Sequence, residues 1–427
     1  MPADRRARRL TLVATALGSS LAFLDATVVV VALPSMEDDL GLGLAGQQWV
    51  YLAYALTLSG LYLLSGAVGD RLGLRRAFVG GVVMFAAASL LCAVATTGGM
   101  LIGPPLGVVV ETISWRWVFF LNLLLAATAI ALALVVRSTG EETSGRSTLD
   151  VVGAALSAVG LVGLTFALVE ARSRGLVEVL PAAVVGVACL VAFALWTARV
   201  ANPLVPPRLF RLPGILAANA VTIVVYAALG AQLLFLPVYL QFVGLSPAVA
   251  GLAFTPSGLA LVLLAPRFGR IADRRGPRLP IAAGAAVIAA GVLLLLPVED
   301  EGSAWRWLPV SLLVFAVGLA AVVAPITAAA LGPAPADLAG VASGLNQTAS
   351  RVGGIVSVAA LGALAGVVFA AAGGKGSTPF DPSLAGGDRD AGVAAFHAVL
   401  AGIALLALTG SALAAALLGR RRDPAGR

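Results

Sequence analysis

The chain has 427 residues, of which 60% are hydrophobic and 11% are charged, and its mean hydropathy is +1.00. A soluble domain cannot bury that much apolar surface, so the composition excludes a soluble globular protein and predicts a polytopic membrane protein. The net charge is +7, but the placement of the basic residues along the chain is more informative than their sum.

Apolar runs long enough to cross about 30 Å of hydrocarbon as helices follow one another along the chain. The piece at 99–110 is too short to span. We therefore expect an all-α membrane protein with about 12 full crossings and one short non-spanning segment. The runs are 10–34, 49–68, 77–95, 118–136, 151–168, 179–198, 213–238, 248–266, 279–298, 308–331, 352–372 and 393–418.

The basic residues indicate which side of the membrane each loop faces. With the N-terminus inside and one crossing per run, the inside segments hold 21 arginines and the outside segments hold six basic residues. Cytoplasmic loops carry an excess of Lys and Arg, so this bias predicts that both termini are cytoplasmic. The chain has one lysine and is dominated by Ala, Gly, Val, Leu and Arg. That composition suggests a GC-rich bacterial genome, and hence the bacterial inner membrane.

One polar stretch between two apolar runs has an unusually specific order of residues. The stretch 66–76 reads GAVGDRLGLRR. Its glycines allow the ends of two helices to come close, its aspartate suits a helix N-terminus, and its arginines keep the turn on the cytoplasmic side. The residues concerned are Gly66, Gly69, Asp70, Arg71, Gly73, Arg75 and Arg76.

A weaker copy of this motif lies in the second part of the chain. The stretch 268–278 reads FGRIADRRGPR, with Asp273 and Arg274 where the first copy has Asp70 and Arg71. A motif repeated at matching places suggests two related halves, as expected of a transporter built from parallel repeats.

The order of residues in 66–76 resembles the signature loop between helices 2 and 3 of the major facilitator superfamily of transporters. Further motifs resemble the branch of drug:proton antiporters that normally has fourteen helices, and the resemblance covers nearly the whole chain. The two extra runs between the halves, at about 151–198, are characteristic of that branch. The matching motifs are LDAT at 24–27, VALP at 31–34, QWV at 48–50, SWRW at 114–117, LPVYLQ at 236–241 and GVASGLN at 340–346.

The resemblance breaks in the first half, where the chain passes from 95–97 almost directly to 103–107. The second segment is similar only to the tail of the family's fifth-helix motif, so the fourth helix and most of the fifth are expected to be missing. Losing two crossings preserves the topology, in agreement with the arginine bias. We expect three parts: a shortened N-terminal half (1–136), a cytoplasmic loop with two extra helices and a basic join (137–212), and a C-terminal half (213–427).

The sharpest candidate for chemistry is Asp25, a carboxylate within the first run. Such a group is costly in lipid and should face the bundle interior or water, where it could load and release protons. The alternative is a structural carboxylate capped by hydroxyls such as that of Thr27, or one near the outer interface. The intramembrane arginine on the family's fourth helix has no counterpart here, so the expected partner of Asp25 is missing.

Other polar and aromatic residues in or beside the runs could line a substrate cavity, although such residues more often bond other helices or pack at interfaces. Arg351 is open to two interpretations, a cavity residue or an interfacial anchor near the inner end of its run. His397 is expected to be packed or interfacial rather than a proton relay. The cavity candidates are Trp49, Tyr54, Asn219, Tyr226, Gln232, Tyr239, Gln241, Asn346 and Arg351.

Together with the resemblance, these residues imply a proton-coupled secondary transporter that exports amphipathic drugs, antibiotics or related small molecules. Asp25 would carry the proton, and the two signature loops would latch an inner gate by pairing across the halves. The sequence has no nucleotide-binding loop, no metal-ligand cluster and no nucleophile–base set, so we expect no enzyme and no cofactor, with the proton gradient as energy source.

The expected partners are the lipid bilayer, a small amphipathic substrate and protons, with no nucleic acid, and the protein is expected to be a monomer. Two alternatives remain. The shortened first half could leave a family member that binds ligand or partners in the membrane without coupled transport, or a non-functional remnant.

Overall fold

The computed structural model describes residues 73–93, 123–131, 150–201, 203, 205–246, 249–250, 253, 255–335, 338–375, 379–381 and 384–419. Among these residues all regular secondary structure is helical, so the predicted all-α fold is confirmed. Residues 123–131 form one helical segment. The other helices are α1 (Leu74–Ala93), α2 (Val151–Arg174), α3 (Leu176–Thr197), α4 (Pro207–Phe210), α5 (Ile215–Phe242), α6 (Thr255–Arg275), α7 (Arg278–Leu293), α8 (Glu301–Leu331), α9 (Ala339–Ala371) and α10 (Gly387–Leu417).

The chain divides into two compact units, Met1–Leu149 and Asp150–Arg427. In the first unit, α1 packs against the helical segment 123–131. Val82 and Ala129 are buried in that contact, with Phe85 partly buried against them. The three-part division drawn from the sequence stays a prediction.

Several described helices have the length and composition of membrane spans. Five of them, α3, α5, α8, α9 and α10, include segments long and apolar enough to cross a bilayer. The six runs predicted from residue 213 onwards correspond to α5 through α10, and the two extra runs correspond to α2 and α3. The protein is therefore a multi-pass membrane protein, and a count of all its crossings involves runs that lie outside the described residues.

The two extra helices form an antiparallel hairpin that packs mainly on itself. A Cβ atom added at Gly186 of α3 would lie 2.6 Å from the backbone nitrogen of Leu164 and 3.0 Å from the carbonyl oxygen of Gly160, both on α2. Glycine is therefore needed there for close approach of the two backbones. Much of α3 is exposed and apolar, which suits a helix whose outer face meets lipid.

The six helices α5 to α10 form the larger bundle. Helix α5 packs against α9 and α10, α7 packs against α8 and α10, and α6 packs against α8. The closest pair is α5–α9, where a Cβ atom on Gly230 would lie 2.6 Å from the Cα atom of Gly354. At Gly353, any side chain would collide with the carbonyl oxygen of Ile223. These two helices meet backbone to backbone.

Two helices extend well beyond the apolar runs that predicted them. Helix α6 continues from the predicted end at 266 to Arg275, and α9 begins at Ala339 rather than at 352. Hydropathy records only the apolar part of a helix. The flanking turns contain charged, small or polar residues that are compatible with helix and lack any proline, so the helix continues past the membrane-like segment.

Candidate functional site

Several residues of the predicted site lie outside the part of the chain that the structure describes. They include the candidate proton carrier and most of the first signature loop. Pairing between the two signature loops also stays a prediction, because one partner is in this group. The residues outside the described part are Asp25, Trp49, Tyr54, Gly66, Gly69, Asp70 and Arg71.

The two copies of the signature motif share a backbone feature. Gly73 has φ +85° and Gly276 has φ +88°, and each lies three residues after the motif's aspartate. L-residues other than glycine reach this left-handed region only at a cost of about 1–2 kcal/mol. This left-handed backbone conformation is a reason for glycine at position 73. Whether this glycine also lets the ends of two helices come close stays a prediction, because the preceding run lies outside the described residues.

The second copy is mostly helix rather than loop. Asp273 and Arg274 lie exposed in the last turn of α6, and only Gly276 and Pro277 separate that helix from α7. Basic residues suit this position because cations are favourable at a helix C-terminus. In the same helix, Arg267 donates a hydrogen bond to the carbonyl oxygen of Leu263 at 2.9 Å. In the first copy, by contrast, Arg75 and Arg76 lie in the first turn of α1, at a helix N-terminus where the macrodipole does not favour cations.

A connected polar network joins α5 to α9 near the start of both helices. The Asn346 amide donates to the hydroxyl of Thr222 at 2.9 Å and to the amide oxygen of Asn219 at 3.3 Å. Asn219 and Thr222 in turn donate to carbonyl oxygens of their own helix, both at 2.9 Å. All three side chains are buried. The structure thus brings together two of the predicted cavity residues, and Thr222 links them.

Two more predicted residues meet about one turn further along the same pair of helices. The Arg351 guanidinium on α9 is close enough to the Tyr226 phenol on α5 to interact with it electrostatically. Both side chains are half-buried. Because α9 begins at Ala339, Arg351 is its thirteenth residue and not an end residue. It still lies at the start of the apolar run predicted at 352–372, so its role as a cavity residue or as an interfacial anchor stays a prediction.

Gln232 and Gln241, also on α5, are engaged differently. Gln232 is 1% exposed, and neither its amide oxygen nor its amide nitrogen has a hydrogen-bond partner within the described residues. Gln241 donates to the carbonyl oxygen of Pro237 at 3.2 Å, one turn back in its own helix. Whether either amide contacts a substrate stays a prediction.

Tyr239 lies in an aromatic cluster at the C-terminal end of α5. Its ring stacks on Phe396 of α10, with centroids 3.5 Å apart. Its hydroxyl donates to the carbonyl oxygen of Val298 at 2.6 Å. Phe380, in the segment between α9 and α10, contacts the rings of Tyr239 and Phe242 edge-on at 6.3 Å. Tyr239 is fully buried, and its contacts join α5 to α10 and to the segment that contains Val298.

Serine hydroxyls add helix-to-helix bonds that the sequence analysis missed. Ser357 of α9 donates to the carbonyl oxygen of Ala227 at 2.6 Å, and Ser311 of α8 donates to that of Gly291 at 2.8 Å. A small polar residue in an apolar run is the available signal for such bonds, but it does not name the partner. Within the described part of the chain, no group of three His, Cys, Asp or Glu side chains could hold a metal ion.

Membrane-length helices, tight glycine contacts and polar groups buried between the helices define a polytopic helical membrane protein. The chain belongs to the Major Facilitator Superfamily, whose family model matches residues 15–100 and 93–358. The predicted family is confirmed. The model matches in two segments that overlap at residues 93–100, next to the place where the two helices are expected to be missing.

Relatives with similar sequences are named as resistance and export proteins. The chain is 30% identical to the multidrug resistance protein Stp of Mycobacterium tuberculosis, over 84% of this chain and 76% of that protein. It is 30% identical to the cephamycin export protein CmcT of Amycolatopsis lactamdurans, over 89% and 88%. The tetracenomycin C resistance and export protein of Streptomyces glaucescens is 29% identical, over 83% and 75%.

A solved structure has a similar fold. The in meso crystal structure of the POT family transporter PepTSo superposes with a TM-score of 0.62, covering 96% of this chain and 98% of that one. The two sequences are 16% identical, so this likeness concerns the fold alone.

The lengths of the alignments show how much this chain lacks. The alignment with Stp has 412 positions, and 84% of this chain, about 359 residues, takes part in it. This chain therefore has gaps at about 53 positions of the alignment. The alignment with CmcT has 437 positions and includes 89% of this chain, so this chain has gaps at about 57 positions there. Two membrane helices of roughly 20 residues with their turns have about this length. The deficit has the size of the two helices expected to be missing, and their position in the first half stays a prediction.

Proposed function

We propose that the chain is a proton-coupled secondary transporter that exports amphipathic small molecules, drugs or antibiotics among them, across the bacterial inner membrane. The observation that carries this proposal is the sequence similarity, along most of their length, to several proteins named for drug resistance and export. The absence of a G-x-x-x-x-G-K-[ST] loop in the sequence favours gradient-driven over ATP-driven transport.

In this proposal Asp25 binds and releases the transported proton, since a carboxylate within a span is the group most suited to that role. The two signature motifs control an inner gate, with Asp70, Arg71, Asp273 and Arg274 making and breaking contacts as the halves move. Both termini lie in the cytoplasm in this proposal, which the excess of arginines in the alternate loops supports. The protein acts as a monomer and catalyses no covalent chemistry.

Dye efflux from energised cells tests the proposal. Cells expressing the chain should lose a preloaded amphipathic dye faster than cells with an empty vector, and dissipating the proton gradient should remove the difference. Asp25→Asn should abolish export at an equal level of membrane protein, because the amide cannot carry a proton. Export by that variant at the rate of the parent chain would overturn the role of Asp25.

The alignment deficit favours a second candidate function, a shortened family member that binds ligand in the membrane without coupled transport. About fifty absent positions equal the length of roughly two crossings. Saturable dye binding by the purified protein, together with efflux equal to that of the empty vector for several dyes, would support this candidate over export.

A further inference from the structure

Helix α6 has an exposed face that is apolar in its first part and basic in its second. At about 100° per residue, five side chains of this helix fall within an arc of about 80°. All five are exposed, and they are called the α6 stripe below: Leu259, Leu263, Arg267, Arg270 and Arg274. Two leucines are therefore followed by three arginines along one line of the helix surface.

The α6 stripe faces away from the helix against which α6 packs. Among the described helices, α6 packs mainly against α8. The buried residues Ser257, Ala260 and Ala272 lie about 60–180° around the helix from Leu263. The stripe is therefore an outer surface of the bundle formed by α5 to α10.

The length of the α6 stripe matches one leaflet of a bilayer. Leu259 and Arg267 are about 12 Å apart along the helix axis, compared with about 15 Å for half of a hydrocarbon core. Arg267 and Arg274 are about 10 Å apart, which is enough to cross a headgroup layer of about 5–8 Å. An acyl chain can therefore lie along the leucines while the phosphate of the same lipid meets the arginines.

Two of the arginines are held at the boundary between the apolar and the basic part of the stripe. Arg267 donates a hydrogen bond to the carbonyl oxygen of Leu263 at 2.9 Å, and Arg270 donates to that of Pro266 at 3.4 Å. Both guanidinium groups therefore reach back towards the leucines. A guanidinium has five N–H donors and each of these bonds uses one, so both groups retain donors for phosphate oxygens.

The charges around the stripe favour an anionic ligand. Residues 179–298 contain eight arginines and one acidic residue, Asp273. The one acidic residue of α8, Glu301, lies in its first turn. That turn is at the other end of the bundle, because α7 begins where α6 ends and α8 runs antiparallel to α7. One nearby carboxylate therefore offsets only a small part of the positive charge.

We infer that the α6 stripe is a binding site for an anionic phospholipid. Arg267, Arg270 and Arg274 bind the phosphate, and the leucines contact an acyl chain. An arginine near a membrane surface strengthens the binding of anionic lipid about fivefold. A zwitterionic phospholipid gains less from the arginines because its headgroup has no net charge. The site goes beyond the proposed function, since lipid binding does not require export.

Native mass spectrometry of the purified full-length protein tests this site. The protein in nonionic micelles is titrated separately with phosphatidylglycerol, which is anionic, and with phosphatidylcholine of the same acyl chains, which is zwitterionic. The wild-type protein should bind the first phosphatidylglycerol about tenfold more tightly than the first phosphatidylcholine, or better. Arg270→Gln should weaken phosphatidylglycerol binding about fivefold and leave phosphatidylcholine binding unchanged.

Two variants control this experiment. Arg270→Lys keeps the charge and should bind phosphatidylglycerol more tightly than Arg270→Gln does. Arg306→Gln removes an exposed arginine from α8 at the other end of the bundle and should leave the binding of both lipids unchanged. Unchanged phosphatidylglycerol binding in Arg270→Gln, or an equal loss in Arg306→Gln, would overturn the site.

The wild-type protein alone decides the matter if Arg270→Gln does not fold, because equal affinity for the two lipids overturns the inference. Millimolar inorganic phosphate, added at constant ionic strength, should not displace the lipid, and displacement would show a site for free phosphate instead. The same spectra report the oligomeric state. A dimer without any preference for phosphatidylglycerol would assign the α6 stripe to a second copy of the chain and overturn the lipid site.

Discussion

The α5–α9 pair and the α2–α3 pair are both close-packed at glycines, but their polar contacts lie in different places. In α2–α3 the described polar contact between the helices is at the open end of the hairpin, where Trp196 donates to the Asp150 carboxylate at 2.8 Å. In α5–α9, Asn346 and Ser357 bond to α5 inside the helical span. Polar groups within a span are costly and commonly functional. We therefore expect α2–α3 to have a structural role and α5–α9 to be needed for export.

The largest effect should follow a substitution that separates the α5 and α9 backbones. Gly353→Val would force a side chain against the carbonyl oxygen of Ile223, and we expect a loss of about 1–3 kcal/mol or more, together with loss of export. Gly186→Val in the hairpin should destabilise by a similar amount but leave residual export in the protein that folds. Thermal unfolding of the purified variants and dye efflux measure the two effects.

Gly258→Ala is the matched control for both valine variants. A Cβ atom there would meet nothing within 4 Å, and the change improves helix propensity by about 0.5–1 kcal/mol. We expect an unchanged or raised melting temperature. If the Gly353→Val variant exported dye at the same rate as the Gly258→Ala variant, export would not depend on the close contact between α5 and α9.

The buried amide network should show coupling between helices. Asn346→Ala and Thr222→Val each remove one end of the 2.9 Å bond. The double variant should be less destabilised than the sum of the two single variants, by about 0.5–1.5 kcal/mol. A double-mutant cycle of thermal stability measures this coupling energy. Strictly additive effects would show that the two side chains do not stabilise each other.

Loss of the hydrogen bond between Trp196 and Asp150 in the α2–α3 hairpin should lower stability less. Trp196→Phe removes the donor to Asp150, while the same carboxylate still accepts from the backbone nitrogen of Gly153 at 2.7 Å. We expect a loss of about 0.5–1.5 kcal/mol in stability and unchanged export. A drop in export at equal protein level would show that α2–α3 has more than a structural role.

The smallest effect concerns Asp300, the aspartate that caps the N-terminus of α8. Asp300 accepts hydrogen bonds from the Ser303 backbone nitrogen and hydroxyl, which hold the pKa of this exposed carboxyl below its usual value of 3.8. The stabilisation is therefore complete above that value and is lost as the pH falls through the lower pKa of the folded protein. Acid should lower the melting temperature of the wild type slightly more than that of Asp300→Asn, which keeps a cap at every pH.

The sequence predicted the membrane helices of the larger unit because each contains an apolar run of spanning length. It did not predict the ends of α6 and α9, since the charged and small residues there form helix without being hydrophobic. Arg351 therefore lies at the start of its apolar run but twelve residues after the start of its helix. The sequence singled out Gly73 but did not predict its left-handed backbone conformation.

The candidate site was predictable as a set of residue types but not as a set of partners. Asn219 and Asn346 stand out as amides in apolar segments, yet they are 127 residues apart in the chain and their bond depends on how α5 and α9 pack. Thr222 and Ser357 resemble ordinary small residues in membrane helices. Their hydroxyls acquire partners on the other helix only because the two backbones come close at Gly230, Gly353 and Gly354.

The most direct test of the account is proton-driven dye transport by the purified chain in sealed liposomes with an imposed pH gradient. The account predicts gradient-dependent dye accumulation that stops when the gradient is collapsed and is absent in Asp25→Asn. Dye that equilibrates no faster than in protein-free liposomes, from a preparation that is folded and binds the dye, would contradict it.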